Sequence, residues 1–295
     1  ALCEKIVNLP MAFHARQRSG DLLSRISNDV AETNRGLEML FGDVISDPIL
    51  IVTLTGSGTL DGFNGTEGSI TGNFRNINTI VGSSSASDQL FGLDVVGNNI
   101  ATWAINSTMT YSANGRTLTF SAFETMTGGT GNDEFIITGA RTGNLHGGVG
   151  SGLDTYRFAA GATLTGEING DAGNDTLSFE FYTSAVSVTL NENLGDGYGG
   201  IASPILGGGN FHNIDTLIGG IAGDTLNGMD DVAAWEVDGT NRYSTPGATI
   251  DEAHYLFFNA FENLNGGIDS DTFVVTGNQS INLSGNDGDD TFILT

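Results

Sequence analysis

Cysteine is nearly missing from this chain. Cys3 stands alone among 295 residues, so no intramolecular disulfide and no cysteine-based zinc site can form. Lysine is scarcer than its usual share, with Lys5 the sole example. Lys5 lies in CEKIV, so a phosphate-binding loop of the Gly-Lys-Ser/Thr type is excluded. Prolines number only 4. No apolar run approaches the ~20 residues needed to span a bilayer as a helix; the best, Ile49 to Leu54, is far too short. Positive charge is scarce throughout: 10 basic residues face 35 acidic ones, for a net charge of −25. Such a surface repels nucleic acid phosphates and anionic lipid, and attracts cations. At 39 % hydrophobic residues, the chain is nonetheless too apolar for a disordered acidic tail.

What is abundant is glycine, with 44 residues, and its distribution divides the chain near Pro48. Residues 1–48 contain three glycines and half of the basic residues. Residues 49–295 contain 41 glycines, 28 acids and five arginines, a net charge of 5 − 28 = −23. In the first piece Leu22, Ile26, Val30, Leu37, Leu40 and Val44 step by three or four, with Thr33 filling the gap. This predicts one apolar stripe of a helix. Ser19 caps its start and Asp47-Pro48 stops it. A shorter helix is expected before Pro10. The second piece reads as short strands between glycine turns, for example EFIITG (134–139), TLSFEF (176–181) and VSVTL (186–190). The opening ALCEKIVNLP lacks a signal-peptide layout, and the whole reads as a fragment of a longer protein.

Internal repetition is the strongest signal. NFRNINTIVG (73–82) returns as NFHNIDTLIG (210–219), and FSAFETMTGGTGNDEFIITG (120–139) returns as FNAFENLNGGIDSDTFVVTG (258–277), at offsets of 137 and 138 residues. A shorter period runs inside this unit. Glycine turns lead to Asp-x-apolar in GGTGNDEFI (128–136), GGVGSGLDTYRF (147–158), GDAGNDTLS (170–178), GGIAGDTLN (219–227), GGIDSDTFV (266–274) and GNDGDDTFI (285–293). The aspartates are Asp133, Asp154, Asp175, Asp224, Asp271 and Asp290, with local spacings of 21, 21 and 19 residues. About twenty residues makes one coil of a β-solenoid, two strands and two turns. The expected fold class is therefore mostly β: a parallel β-solenoid or β-helix over 49–295, with a short α-helical segment over 1–48. Phe135, Tyr156 and Leu177 each follow an aspartate by two residues and should stack as an inward ladder. The glycines are expected at positive φ.

Stacked turns place carboxylates ~4.8 Å apart, where uncompensated charges repel. Calcium, which takes six to eight oxygens, would remove that repulsion if held between coils by the six aspartates. Alternatively, each aspartate closes an Asx-turn onto nearby backbone and holds no metal. Among other groups, His14, His146, His212 and His254 show no tight metal spacing. No nucleophile elbow is present. Paired carboxylates such as Asp230/Asp231 could serve glycoside or pectate chemistry on a β-helix face, though adjacent acids on a solvated loop are far commoner. Trp103, Trp235, Tyr111 and Tyr243 recur in both units, as core or as sugar-stacking surfaces. No enzymatic activity is expected.

The glycine–aspartate turns resemble the repeats-in-toxin (RTX) calcium-binding consensus, Gly-Gly-x-Gly-x-Asp-x-apolar-x, most closely in GGTGNDEFI. The longer unit resembles repeat arrays of giant bacterial surface and adhesin-like proteins. The resemblance covers 49–295 and implies an extracellular structural or adhesive module, stabilised by calcium, exported by type I secretion. Its partners would be calcium ions, neighbouring repeats of the parent protein and cell-surface glycans. NLPMAFHARQRSGDLLSRISNDVAE (8–32) resembles something else, the membrane-domain loop of ABC exporters, on Pro10, Phe13, Gly20, Leu22, Ser24, Arg25 and Asp29. That resemblance implies a coupling helix, here either a helical cap or an exporter remnant joined to a second gene product.

Overall fold

In the computed structural model the described residues are 49–97, 99–245 and 255–295. The helices expected before Pro48, and with them Cys3, Lys5 and His14, lie outside the described residues; so does His254. The chain divides into two compact units, Ala1–Pro48 and Ile49–Thr295. The second unit contains strands and turns and no helix among the described residues. Two sheets of 13 strands each run its length, and a small third sheet of three strands joins them midway.

The coils follow from the sequence period. Asn132–Ile137 belongs to the second sheet, Ala140–Thr142 to the third and Asn144–His146 to the first. One coil later, Thr155–Phe158, Thr163–Thr165 and Ile168–Asn169 repeat that order. Each strand pairs in parallel with its counterpart one coil on, so side chains of one register column share a face. In the second sheet Trp103, Phe135, Tyr156, Leu177, Leu217 and Phe258 stand side by side on successive strands. In the first sheet the corresponding column is Val52, Leu90, Met126, Leu145, Ile168 and Phe211. Both columns are buried, and they face each other as the core. The expected ladder of Phe135, Tyr156 and Leu177 is thus part of a longer one. Aromatic rings stack along it: Trp103 on Phe135 at 5.5 Å and 10°, and Phe135 on Tyr156 at 5.0 Å and 7°.

The solenoid is not purely parallel. Once per long unit, each of the long sheets admits an antiparallel meander. In the first sheet these are Ile51–Ser57, Phe63–Glu67 and Phe74–Ile77, then Ser187–Asn193, Tyr198–Ala202 and Phe211–Ile214. In the second sheet they are Ile100–Ile105, Thr110–Ala113 and Arg116–Ser121, then Ala233–Val237, Arg242–Ser244 and Leu256–Asn259. One turn shows the cause. Ala113 pairs with Arg116 across Asn114-Gly115, both at positive φ (50° and 71°), which is the strongest two-residue hairpin signal a sequence can carry.

The long repeat is reproduced in three dimensions down to unusual backbone. Asn76 and Asn213 have φ of 55° and 52°; Ala122 and Ala260 both have φ of 56°. Trp103 lies 4.5 Å from Tyr111, and Trp235 lies 4.5 Å from Tyr243. Each tyrosine hydroxyl accepts a backbone hydrogen bond, from Leu93 N at 2.8 Å and Met229 N at 2.9 Å. All four rings are fully buried, so they are core and offer no surface to a sugar. Gly92 and Gly228 sit against the same tryptophan–tyrosine pairs, where a Cβ would crowd the indole.

Candidate functional site: columns of buried carboxylates

Five of the turn aspartates are buried and Asp290 is half-buried; they form two columns, one at the entry to each long sheet. The second-sheet column contains Asp133, Asp154, Asp175 and Asp215. Asp133 N donates to Asp154 Oδ1 at 2.7 Å, Asp154 N to Asp175 Oδ1 at 2.8 Å, and Asp175 N to Asp215 Oδ2 at 2.8 Å. At its start Trp103 Nε1 donates to Asp133 Oδ1 at 2.9 Å. The same column resumes in the second unit, where Asp271 N donates to Asp290 Oδ1 at 2.9 Å. Trp235 occupies the place of Trp103, but its Nε1 and Asp271 Oδ1 fall outside hydrogen-bond geometry.

The first-sheet column has a different composition. Leu50 N donates to Asp88 Oδ1 at 2.8 Å, and Asp88 N to Glu124 Oε2 at 2.9 Å. One unit later Val186 N donates to Asp224 Oδ1 at 2.7 Å, and Asp224 N to Glu262 Oε2 at 2.8 Å. The sequence therefore groups Asp133, Asp154 and Asp175 correctly, and Asp271 with Asp290, while Asp224 stands in the other column. Asp88, Asp215, Glu124 and Glu262 belong to the columns and were not singled out. Their signal is acid-x-apolar without a preceding glycine run: DQL, DTL, ETM and ENL.

These bonds differ from an Asx-turn in one respect. The Oδ atom reaches the backbone of the neighbouring coil, so it links coils where an Asx-turn would close only one. The other oxygen often closes the local turn as well: Gly129 N donates to Asp133 Oδ2 at 3.0 Å and Gly267 N to Asp271 Oδ2 at 2.8 Å, and Gly220 N donates to Asp224 Oδ2.

The leading glycines are explained by crowding. Gly82, Gly128, Gly147, Gly170, Gly219 and Gly266 do not have positive φ, contrary to expectation. A Cβ on Gly128 would overlap Gly147 O and Asp133 Oδ2; on Gly147, Gly170 O and Asp154 Oδ2; on Gly170, Asn213 O and Asp175 Oδ2. The same holds at Gly266 with Asp271 Oδ2 and Gly285 O. Positive φ is confined to later turn positions such as Gly150 (140°), Gly173 (141°) and Gly288 (116°). Each leading glycine thus lets a carboxylate oxygen and a carbonyl of the next coil close over its Cα.

Burial sets the charge state of the second-sheet column. It pushes Asp133 up to about 6, against hydrogen bonds from Gly129 and Trp103. Asp154 is pushed up to about 7 and Asp175 to about 8, again by burial first, with their carboxylate neighbours adding to it. Asp271 is raised by burial too. Asp175 Oδ2 is buried with no hydrogen-bond partner. Asp88 behaves oppositely. Burial is again the largest influence, but the bonds from Leu50 and Ser83 outweigh it and its pKa is lowered.

The remaining sequence candidates disperse. His146 faces Glu167 at 3.5 Å and Asp171 at 3.7 Å, and its pKa is raised, chiefly by the hydrogen bond to Asp171. His212 Nδ1 lies 2.9 Å from Glu192 Oε2. Asp231 Oδ1 accepts from Val232 N at 2.8 Å, an exposed turn contact. Among the described residues no group of three or more His, Cys, Asp or Glu side chains lies close enough to hold a metal ion unaided. No helix among them is long and apolar enough to cross a membrane.

The family model of the ABC transporter transmembrane region matches residues 1–60, and its end runs into the strand Ile51–Ser57. No curated protein matches the chain. No solved structure matches it.

Proposed function

We propose that residues 49–295 serve as a repetitive structural module of a secreted or cell-surface protein, of adhesin-like kind, in which calcium replaces protons on the second-sheet carboxylate column. The observation that supports this most is Asp175 Oδ2, a buried carboxyl oxygen with no hydrogen-bond partner. Such a group takes up a proton or a cation. Beside each leading glycine a carboxylate oxygen lies near a carbonyl oxygen of the next coil, as with Asp154 Oδ2 and Gly170 O. Hard oxygen donors of this kind suit calcium. One carboxylate per coil is a sparse set, so backbone carbonyls and water complete the shell. Affinity then falls in the weak class of extracellular modules, roughly 10⁻⁴–10⁻³ M. Melting the chain at mildly alkaline pH with EGTA, millimolar magnesium or millimolar calcium tests this. Calcium should raise the transition and magnesium should do less. Identical melting in all three removes calcium from the proposal and leaves the stacking scaffold.

The match over residues 1–60 supports a second reading, for that segment alone: an ABC exporter-derived piece joined to the solenoid. Sequencing the flanking DNA decides it, because a genuine fusion carries membrane-spanning segments upstream in the same frame.

A further inference from the structure

The third sheet begins only at Ala140–Thr142. One coil earlier the chain leaves Ile100–Ile105 and turns back into the second sheet as Thr110–Ala113, so no third-sheet strand lies beside Ala140–Thr142 on that side. The gap is a cleft of about 430 Å³, in the size class of small-molecule sites. Its lining includes Ser107, Thr108, Thr119, Ser121 and Thr142, five hydroxyl residues. Thr163 N donates to Gly139 O and Gly143 N to Thr165 O, each at 3.0 Å. Odd-numbered residues of the edge strand thus bond to the next coil, and Ala140 and Thr142 turn their N–H groups toward the cleft.

Arg141 lines the cleft as well. It stands in the register column of Leu164 and Ile205, both buried, so a cation occupies an inward position of the third sheet. Its Nε donates to Thr138 O at 3.0 Å. Arg157 is held by Glu134 and Glu180 at 3.0 Å each, and Arg242 by Glu236, but among the described residues no carboxylate pairs with Arg141. An unpaired guanidinium is unexpected where 28 acids face five arginines.

The second long unit shows what the fold requires at these positions. In TGNQ (276–279) against TGAR (138–141), Gln279 is the counterpart of Arg141, and its Nε2 donates to Thr276 O at 3.0 Å, the same bond. In WEVD (235–238) against WAIN (103–106), Asp238 is the counterpart of Asn106, which also lines the cleft. Each accepts the N–H two residues on through Oδ1, from Thr240 N at 2.9 Å and from Thr108 N at 2.7 Å. The first unit therefore has a guanidinium where an amide suffices, and an amide where a carboxylate suffices. Both differences make this cleft more positive, and local bonding explains neither. A negatively charged ligand explains both.

We propose that the cleft binds a small acidic sugar of the hexuronate class, with its carboxylate on Arg141 and its ring hydroxyls among the serine and threonine side chains. With Nε engaged, the guanidinium keeps its Nη donors for a carboxylate. Hydroxyls donate and accept alike, which suits a polyol better than a bare ion. The acidic surface repels anions at long range, but at physiological salt that repulsion is screened beyond about 8 Å, while the Arg141 contact is direct. The cleft lies apart from the carboxylate columns, and calcium plays no part in it.

Titration calorimetry of the full chain with glucuronate, in EGTA and physiological salt, tests this. One molecule should bind per chain. Glucose, acetate and inorganic phosphate should each bind roughly tenfold more weakly or worse, because each lacks one half of the recognised chemistry. Arg141→Gln keeps the bond to Thr138 O and removes the guanidinium, so affinity for glucuronate should fall roughly 10- to 100-fold, the share of a charged hydrogen bond. Asn106→Asp keeps the Thr108 turn and adds a negative charge; it should weaken glucuronate severalfold and leave glucose unchanged. Both substitutions are ones the fold already uses at the counterpart positions, and thermal melts check that each variant is folded. No glucuronate binding at tens of millimolar overturns the proposal, as does an affinity that Arg141→Gln leaves unchanged. Glucose binding as well as glucuronate means the carboxylate is not read, and overturns it. Acetate or phosphate binding as well as glucuronate means a bare anion site, and overturns the sugar assignment.

Discussion

Raising the pH should destabilise this protein through the neutral range when no divalent cation is present. Asp133, Asp154 and Asp175 have folded-state pKa values raised from 3.8 to about 6, 7 and 8. The folded chain therefore holds protons that the unfolded chain has released. Stability from these groups is full below about pH 4 and declines as pH rises through about 6 to 8. Asp133 alone is raised by about two units at roughly 1.4 kcal/mol each, or about 3 kcal/mol. A domain of this size shifts its midpoint by about 2–4 °C per kcal/mol, so Asp133 alone corresponds to roughly 6–12 °C. The lowered pKa of Asp88 acts in the other direction: its contribution is present above its unfolded value and is lost as pH falls through the folded one. Maximum stability without cations should lie near the unfolded carboxylate value, about pH 4. The assay is melting followed by tryptophan emission at about pH 5 and about pH 8.5, with EGTA, in salt high enough to screen the acidic surface. Equal midpoints, or a higher midpoint at the alkaline pH, would refute the reasoning. Calcium should recover stability at the alkaline pH and do little at the acid one.

Other substitutions separate the forces involved. Asp154→Asn keeps an oxygen for Asp133 N and removes the titration, so in EGTA at alkaline pH it should melt at or above wild type. Asp154→Ala leaves Asp133 N unsatisfied and should cost about 1–3 kcal/mol at about pH 4, where the titration does not contribute, measured by urea unfolding. Gly147→Ala pushes a Cβ into Asp154 Oδ2 and Gly170 O; a loss of about 1–3 kcal/mol is expected from overpacking, and an unchanged urea midpoint contradicts the crowding argument. Ala122→Gly and Ala260→Gly relieve left-handed backbone at φ 56° and should each raise stability by about 0.5 kcal/mol, a shift readable in thermal melts. Phe135→Ala interrupts the stack between Trp103 and Tyr156 and should cost about 3–5 kcal/mol.

Local pattern alone carried much of this fold. Acid-x-apolar at a spacing near twenty residues implies a coil, an inward ladder and aligned carboxylates, because a strand has period two and a solenoid repeats its register. The 137–138-residue unit was legible because two phrases return nearly unchanged. What lay outside the period was harder to see. Asp88, Asp215, Glu124 and Glu262 lack the glycine prelude, so no spacing marks them as column members. Which column holds Asp224 depends on which sheet its strand enters, a matter of how many antiparallel strands intervene. Only the stacked coils decided what the aspartates and glycines do. A carboxylate's partner is the N–H of a residue some twenty or forty positions away, and a glycine's constraint is a carbonyl on the next coil. Neither neighbour exists until the chain has wound around and come back beside itself.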